Sequence, residues 1–266
     1  MNADECARPI TDRVSMSLSD NEAYPDACMQ ASNEYRFFNS IRRNPAYNEI
    51  LEHASEEQGR GYLETISQDA DVLAAMDEFK ANDIYGDPRM YEYPDVGMVS
   101  PTTLRYVKVL ADIRRLFRSL DDWSICEIGV GYGGQCRIIN AFWKPARYCL
   151  VDIQPALALA KRFLDHYILD SVLTFSTMNE LSRKEYDLVL SNYAFSELPR
   201  PVQDVYLSKV ILNSQRGYMT YNEITPDEFN SYKSNELAAM IPDARILEET
   251  PLTSERNCII VWGTDS

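Results

Sequence analysis

The chain has 266 residues and 45% hydrophobic composition, enough for one sizeable core and a smaller appendage. Its formal charge of −15 is concentrated early, since residues 1–100 hold twenty acidic against eight basic side chains. An acidic face of that kind repels phosphate backbones, which argues against a nucleic-acid substrate, and no run of eighteen apolar residues offers a membrane span.

Residues 1–30 mix Asp, Asn, Ser and Pro with few apolar positions, so a loosely ordered leader is expected there. They show no basic-then-apolar signal, which with scattered, unpaired cysteines predicts a reduced cytoplasmic protein. Residues 31–99 are predicted to form a helical cap. EYRFFNSIRRN, AYNEILEHASEE, YLETISQ and ADVLAAMDEFKAN each space apolar residues three or four apart. IYGDPRMYEYPDVGMVSPTTLRY, rich in Pro, Gly and Tyr, reads as a loop up to Ser100-Pro101, an N-cap followed by Pro at the first helical position. Residues 100–266 are then expected to form one α/β domain. WSICEIGV, RYCLVDI, VLTF, YDLVLSNY, GYMTYNEI, ARILEET and NCIIVWG read as strands, alternating with GQCRIINAFW, PALALAKRFLDHYI, PRPVQDVYLSKVI and PDEFNSYKSNELAAM as helices. That rhythm predicts a Rossmann-like, mostly parallel seven-stranded sheet. TPLTSER is too short for a crossover, so the last two strands should pair antiparallel at the sheet edge.

The first strand runs into CEIGVGYGGQ, a G-x-G-x-x-G loop that opens a helix, and the second strand ends in Asp152. An acid there accepts hydrogen bonds from ribose hydroxyls, whether the ligand is NAD or S-adenosylmethionine. Glu127, two residues before Gly129, would repel a pyrophosphate and suits an ammonium or sulfonium instead. Only one nucleotide-binding half is evident, again unlike a dinucleotide fold. Zinc is not expected, because the two histidines, His53 and His166, stand near no cysteine pair.

GDPRMYEYPDVGMVSPTTLRYVKVLADIRRLF followed by ICEIGVGYGGQ resembles the sugar O-methyltransferase family of bacterial polysaccharide and antibiotic gene clusters. The similar block spans about residues 84–135 and continues more weakly through SNYAFSELP and RGYMTYNEI to about 225. Residues 1–80 share nothing with it. The resemblance implies a class I S-adenosylmethionine-dependent methyltransferase fold with an N-terminal cap, and methyl transfer to a sugar or glycan hydroxyl. It also marks Arg105 and Tyr106 as family residues.

On that reading Glu127, Gly129 and Gly131 frame the methionine end of the donor, while Gly133 and Gly134, with Tyr132 between the glycines, let the backbone approach it. Asp152 holds the ribose, and Ile153 or Gln154 flanks the adenine, with Thr177, Met178 and Asn179 after the third strand. Asn192 follows the fourth strand, and Arg105 either takes the donor's carboxylate or pairs with an acid such as Asp95. Glu197 and Glu223, near the ends of strands four and five, are the candidate bases. His53 reads as a solvated cap residue. Tyr91, Tyr93, Tyr106, Tyr193, Tyr221 and Asn222 are candidate acceptor contacts. No metal is expected, since SNYAFSELP offers a single carboxylate. The cap either closes over the acceptor or forms a homodimer interface. Competing readings are a polyketide or other small-metabolite acceptor, a nicotinamide-linked oxidoreductase, and a non-catalytic methyltransferase-like subunit.

Overall fold

The structure, a computed structural model, describes residues 23–264. The cap begins earlier than its composition suggests. Helix α1 (Ala23–Asn33) buries Tyr24, Ala27, Cys28 and Ala31, so residues 23–30 are structured rather than part of a leader. The remainder of the expected leader, residues 1–22, lies outside the described residues. The other cap helices are short: α2 (Tyr35–Phe38), α3 (Pro45–Leu51), α4 (Glu56–Ile66), α5 (Ala70–Ala74) and α6 (Met76–Phe79). The expected helix over AYNEILEHASEE breaks at residues 52–55, because Ser55 starts a new one. Its hydroxyl accepts from Gln58 N at 3.1 Å and the Gln58 side chain accepts from Ser55 N at 2.8 Å.

The stretch expected as a loop contains a small antiparallel ribbon, β1 (Tyr91–Tyr93) with β2 (Gly97–Val99), joined across Pro94-Asp95. Helix α7 (Pro101–Phe117) starts as its sequence demands, the Ser100 hydroxyl accepting from Thr103 N at 3.1 Å. It is buried along most of its length, between the cap and the sheet.

All seven expected strands form: β3 (Ser124–Ile128), β4 (Arg147–Val151), β5 (Val172–Ser176), β6 (Tyr186–Asn192), β7 (Ser214–Tyr221), β8 (Arg245–Glu248) and β9 (Cys258–Trp262). Their order is β5-β4-β3-β6-β7-β9-β8, parallel from β5 to β7, with β9 antiparallel to both its neighbours. The chain therefore has the Rossmann-like seven-stranded sheet with an antiparallel last strand. Helices α8 (Gly134–Phe142), α9 (Gln154–Leu164), α10 (Arg200–Lys209) and α11 (Ser234–Met240) flank it. The last is half the length the sequence pattern suggests, because Asn230 takes a left-handed φ of +47° and ends the preceding turn.

The cap and the start of α7 are joined by a buried polar network. The Arg42 side chain is 1% exposed and donates to Glu52 Oε1 at 2.5 Å, Asp83 Oδ1 at 2.8 Å and Ser100 Oγ at 2.9 Å. Thr102 Oγ1 donates to Glu52 at 2.9 Å, and Ser100 N and Thr103 Oγ1 donate to Asp83, both at 2.7 Å. These bonds fix the end of α3 against the start of α7.

Candidate active site

The carboxyl ends of β3, β4 and β6 open into one cavity of about 840 Å³, whose opposite wall is the cap. Open α/β sheets place ligands at this edge. Gly129 follows β3 with φ +79°, and a Cβ there would stand 1.9 Å from Ala194 Cβ, so only glycine fits. A Cβ on Gly131 would meet Leu51 Cδ1 of α3 at 2.8 Å, so the cap rests directly on the loop.

Asp152, at the end of β4, shapes the loop and faces the cavity. Its Oδ2 accepts from Val130 N at 2.8 Å and Gly131 N at 3.2 Å, and its Oδ1 from Ile153 N at 2.7 Å. Burial pushes its carboxyl up to about 6 against the pull of these three N–H donors. Ile153, Gln154, Thr177, Met178 and Asn179 line the cavity beside it.

Four of the expected donor contacts lie elsewhere. Glu127 is 2% exposed beneath the loop, where Tyr148 Oη donates to it at 2.7 Å. Burial raises its carboxyl to about 8, opposed by that hydrogen bond and aided by Asp152. Burial thus disfavours its charged form, which weakens the repulsion of a pyrophosphate expected from it. Tyr132 packs its ring under Arg42 and edge-on to Phe163 instead of lining the cavity. A Cβ on Gly134 would press on the Tyr106 and Tyr132 rings, and one on Gly133 would press on Leu164. Both glycines serve the packing of α8 and its neighbours.

The other end of the cavity holds Tyr193, Glu197 and Asn222 from the sheet edge. Asn222 Nδ2 donates to Glu197 Oε1 at 2.9 Å. Burial raises the Glu197 carboxyl, while this bond and the charge of Arg105 pull it back down. Tyr193 sits at φ +65°, a strained backbone for an aromatic residue, and its hydroxyl donates to the buried Glu249.

Five other expected residues do not reach the cavity. Glu223 accepts from Ser234 N and Oγ, both at 2.9 Å, at the start of α11. Tyr221 Oη donates to Tyr232 O at 2.7 Å. Tyr91 and Tyr93 belong to the ribbon, Tyr93 Oη donating to Glu56 O at 3.3 Å. Tyr106 is buried against Tyr132.

The structure adds residues that the sequence reading left aside. Tyr24, Gln58, Tyr62 and His53 come from the cap, and Thr253 and Asn257 from the β8–β9 connection. His53 is exposed at the rim, yet the surrounding protein and then Arg105 lower its pKa, which favours the neutral imidazole. The helical spacing of α3 was the one available signal for a cap face turned to the glycine loop.

Arg105 lines the cavity from α7 and is 9% exposed. Its Nη2 donates to Leu51 O at 3.1 Å, and its buried Nε has no partner. The buried Oδ1 atoms of Asn192 and Asn257 are likewise unpartnered, and both residues line the same cavity. Among the described residues, no group of three His, Cys, Asp or Glu side chains stands ready to share a metal ion, and no helix is long and apolar enough to cross a membrane.

No family model matches the chain, and no curated protein matches it. The resemblance of residues 84–135 therefore gains no support from a family match. Solved structures are similar at low identity. Thermoplasma acidophilum 1320 aligns at 14% identity and TM-score 0.43, over 74% of this chain and 96% of that one. The methyltransferase domain of bacterial CtHen1 aligns at 14% identity and TM-score 0.43, over 59% and 95%. The precorrin 8W decarboxylase of Methanobacterium thermoautotrophicum aligns at 16% identity and TM-score 0.41, over 58% and 88%. At this distance the alignments carry no argument, and the fold rests on the chain's own strand order, a Rossmann-like, mostly parallel seven-stranded sheet with an antiparallel last strand.

Proposed function

We propose that the protein is an S-adenosylmethionine-dependent O-methyltransferase acting on a hydroxyl of a sugar or glycan. The observation that carries this reading is one cavity joining a glycine loop and a ribose-type acid to a desolvated carboxyl, Glu197. The resemblance in residues 84–135 supplies the sugar class.

The residues fit such a donor chemically. Asp152 would accept from the ribose hydroxyls, and Ile153, Met178 and Asn179 would flank the adenine. When bound, the donor supplies an electrophilic methyl group on a sulfonium. Glu197 would take the proton of the acceptor hydroxyl, with Asn222 holding the carboxylate in place. The rim of His53, Tyr62, Tyr193 and Thr253 offers aromatic faces and polar groups to a polyhydroxylated ring. The Leu51–Gly131 contact lets the cap keep water from the reacting atoms.

Calorimetric titration with S-adenosylhomocysteine, and with NADH in a parallel cell, tests the donor. Micromolar binding of the first alone is expected, and binding of NADH alone would sink the reading. Methyl transfer from labelled donor to a panel of monosaccharides and nucleotide-linked sugars tests the acceptor. Label appearing only on non-sugar acceptors would favour a small-metabolite enzyme.

A further inference from the structure

The connection from β8 to β9 carries a hydrogen-bond relay that ends in the cavity. Glu249 is 4% exposed. One of its oxygens accepts from Tyr193 Oη, and the other from Thr253 N at 2.9 Å and Thr253 Oγ1 at 2.7 Å. A hydroxyl has one proton, and that of Thr253 points to Glu249. Toward Asn257 the Thr253 oxygen can then only accept, so Asn257 Nδ2 donates to it at 2.8 Å. This orients the amide and leaves Asn257 Oδ1 as a buried acceptor without a donor. Glu249, Thr253 and Asn257 all lie past the resemblance, which ends at about residue 225.

The sheet register brings that acceptor to the candidate base. β7 and β9 run antiparallel, and the last pair of their ladder is Tyr221 with Cys258. Continued by one residue, the register sets Asn257 opposite Asn222, and facing residues of an antiparallel pair have Cβ atoms about 4.5–5.5 Å apart. Both asparagines line the cavity. Asn222 is tied into the sheet edge, its Oδ1 accepting from Ser196 Oγ at 2.8 Å and its Nδ2 donating to Glu197 Oε1 at 2.9 Å. It thus bonds the base on one hand and faces Asn257 on the other.

We infer that Asn257 determines acceptor specificity, its Oδ1 accepting from a second acceptor hydroxyl adjacent to the one that Glu197 deprotonates. The substrate class is then a vicinal diol. This deepens the proposed function and rests on it. An acceptor lacking the neighbouring hydroxyl would leave Oδ1 buried and unpaired, and a site built to bond a hydroxyl discriminates strongly against an analogue without it. The same demand limits the reaction to one methyl group per diol. A methylated diol turned round to offer its remaining hydroxyl to Glu197 would set an ether oxygen, which has no proton, against Asn257.

The experiment measures transfer from labelled S-adenosylmethionine, by the full chain and its Asn257→Leu variant, to probes that differ by one hydroxyl. These are the methyl glycosides of mannose, galactose, glucose and rhamnose with their monodeoxy derivatives, and catechol with phenol and guaiacol. For a diol that accepts label, removing the neighbouring hydroxyl should lower kcat/KM about ten- to a hundredfold, the effect of one buried acceptor left unpaired. Asn257→Leu should remove that difference, and Thr253→Val, which frees the amide to turn, should narrow it. Equal wild-type rates on a diol and its monodeoxy partner, a second methyl group entering the same diol, or a difference preserved in Asn257→Leu would overturn the inference and leave the methyltransferase reading standing. The first two need no variant, so they decide even if Asn257→Leu fails to fold. Label on none of the diols, from a protein that binds S-adenosylhomocysteine, would overturn the inference together with the proposed acceptor. Failure to bind S-adenosylhomocysteine would overturn the donor reading beneath both.

Discussion

Replacing Arg42 by Met tests whether the buried network between the cap and α7 is held by charge. The guanidinium serves two carboxylates whose side chains are each 4% exposed. Asp83 would keep three donors, Ser100 N, Ser100 Oγ and Thr103 Oγ1, all at 2.7 Å. Glu52 would keep only Thr102 Oγ1 at 2.9 Å, so most of the penalty falls on Glu52. Removing one partner of a buried pair costs about 3–5 kcal/mol. With a urea m-value of about 2–3 kcal/mol/M for a chain of this size, the midpoint should fall by about 1–2.5 M. The double variant Arg42→Met/Glu52→Met should recover part of that loss, because no carboxylate is then stranded at the end of α3. Urea unfolding followed by circular dichroism at fixed pH reads both. A midpoint shift under about 0.3 M, or strictly additive losses in the double variant, would refute the reasoning.

Glu197→Gln should lower turnover about 100- to 10,000-fold with little change in S-adenosylhomocysteine affinity, and near-normal turnover across pH would remove it as the base. Because burial raises this carboxyl, the acid limb of the wild-type rate profile should lie above the ordinary carboxylate range. Asp152 is raised to about 6, so donor affinity should weaken as pH falls through that value, and Asp152→Asn should flatten the dependence when followed by calorimetry. Glu127 is raised to about 8 in the folded protein against 4.5 ordinarily. Its contribution to stability is full below the ordinary value and is lost as pH rises through the folded one. Glu127→Gln should therefore gain stability relative to the wild type between pH 5 and pH 8 in thermal melts, and a constant difference would contradict a neutral, buried Glu127.

The strands were legible because strands buried on both faces are near-continuous apolar runs, as YCLV is in the parallel β4 and CIIVW in the antiparallel β9. Their order was only partly legible. A short connection announces an antiparallel pair, but the insertion of β9 between β7 and β8 is decided by the sheet as a whole. In the cap, an apolar period of three or four ran across the break at residues 52–55, and the S-x-x-Q box that restarts the chain at Ser55 outweighed it. The G-x-G turn and Asp152 could be read directly, since Ala194 leaves no room for a Cβ at Gly129. Glu127 could not. Its fate depends on Tyr148, which the register of β3 with β4 brings to the same face. Glu223 likewise ends up capping α11, a role set by where that helix starts.

Three consecutive residues tie the cap to the cavity proposed to hold the donor. Leu51 gives its carbonyl to Arg105 and its side chain to the space above Gly131. Glu52 is tied to Arg42 and Thr102, and His53 stands at the cavity rim. A boundary between residues 99 and 100, natural by composition, is thus crossed by the bonds that aim Arg105. Loosening the network at Arg42 should let α3 drift from the loop and release the Leu51–Arg105 bond without touching any donor contact directly. In native buffer, where Arg42→Met is still folded, S-adenosylhomocysteine should bind more weakly than to the wild type, while 5′-methylthioadenosine is spared. If both ligands lose affinity equally, the cap acts on the nucleoside end through Gly131. If neither does, cap anchoring and donor recognition are separate properties of the fold.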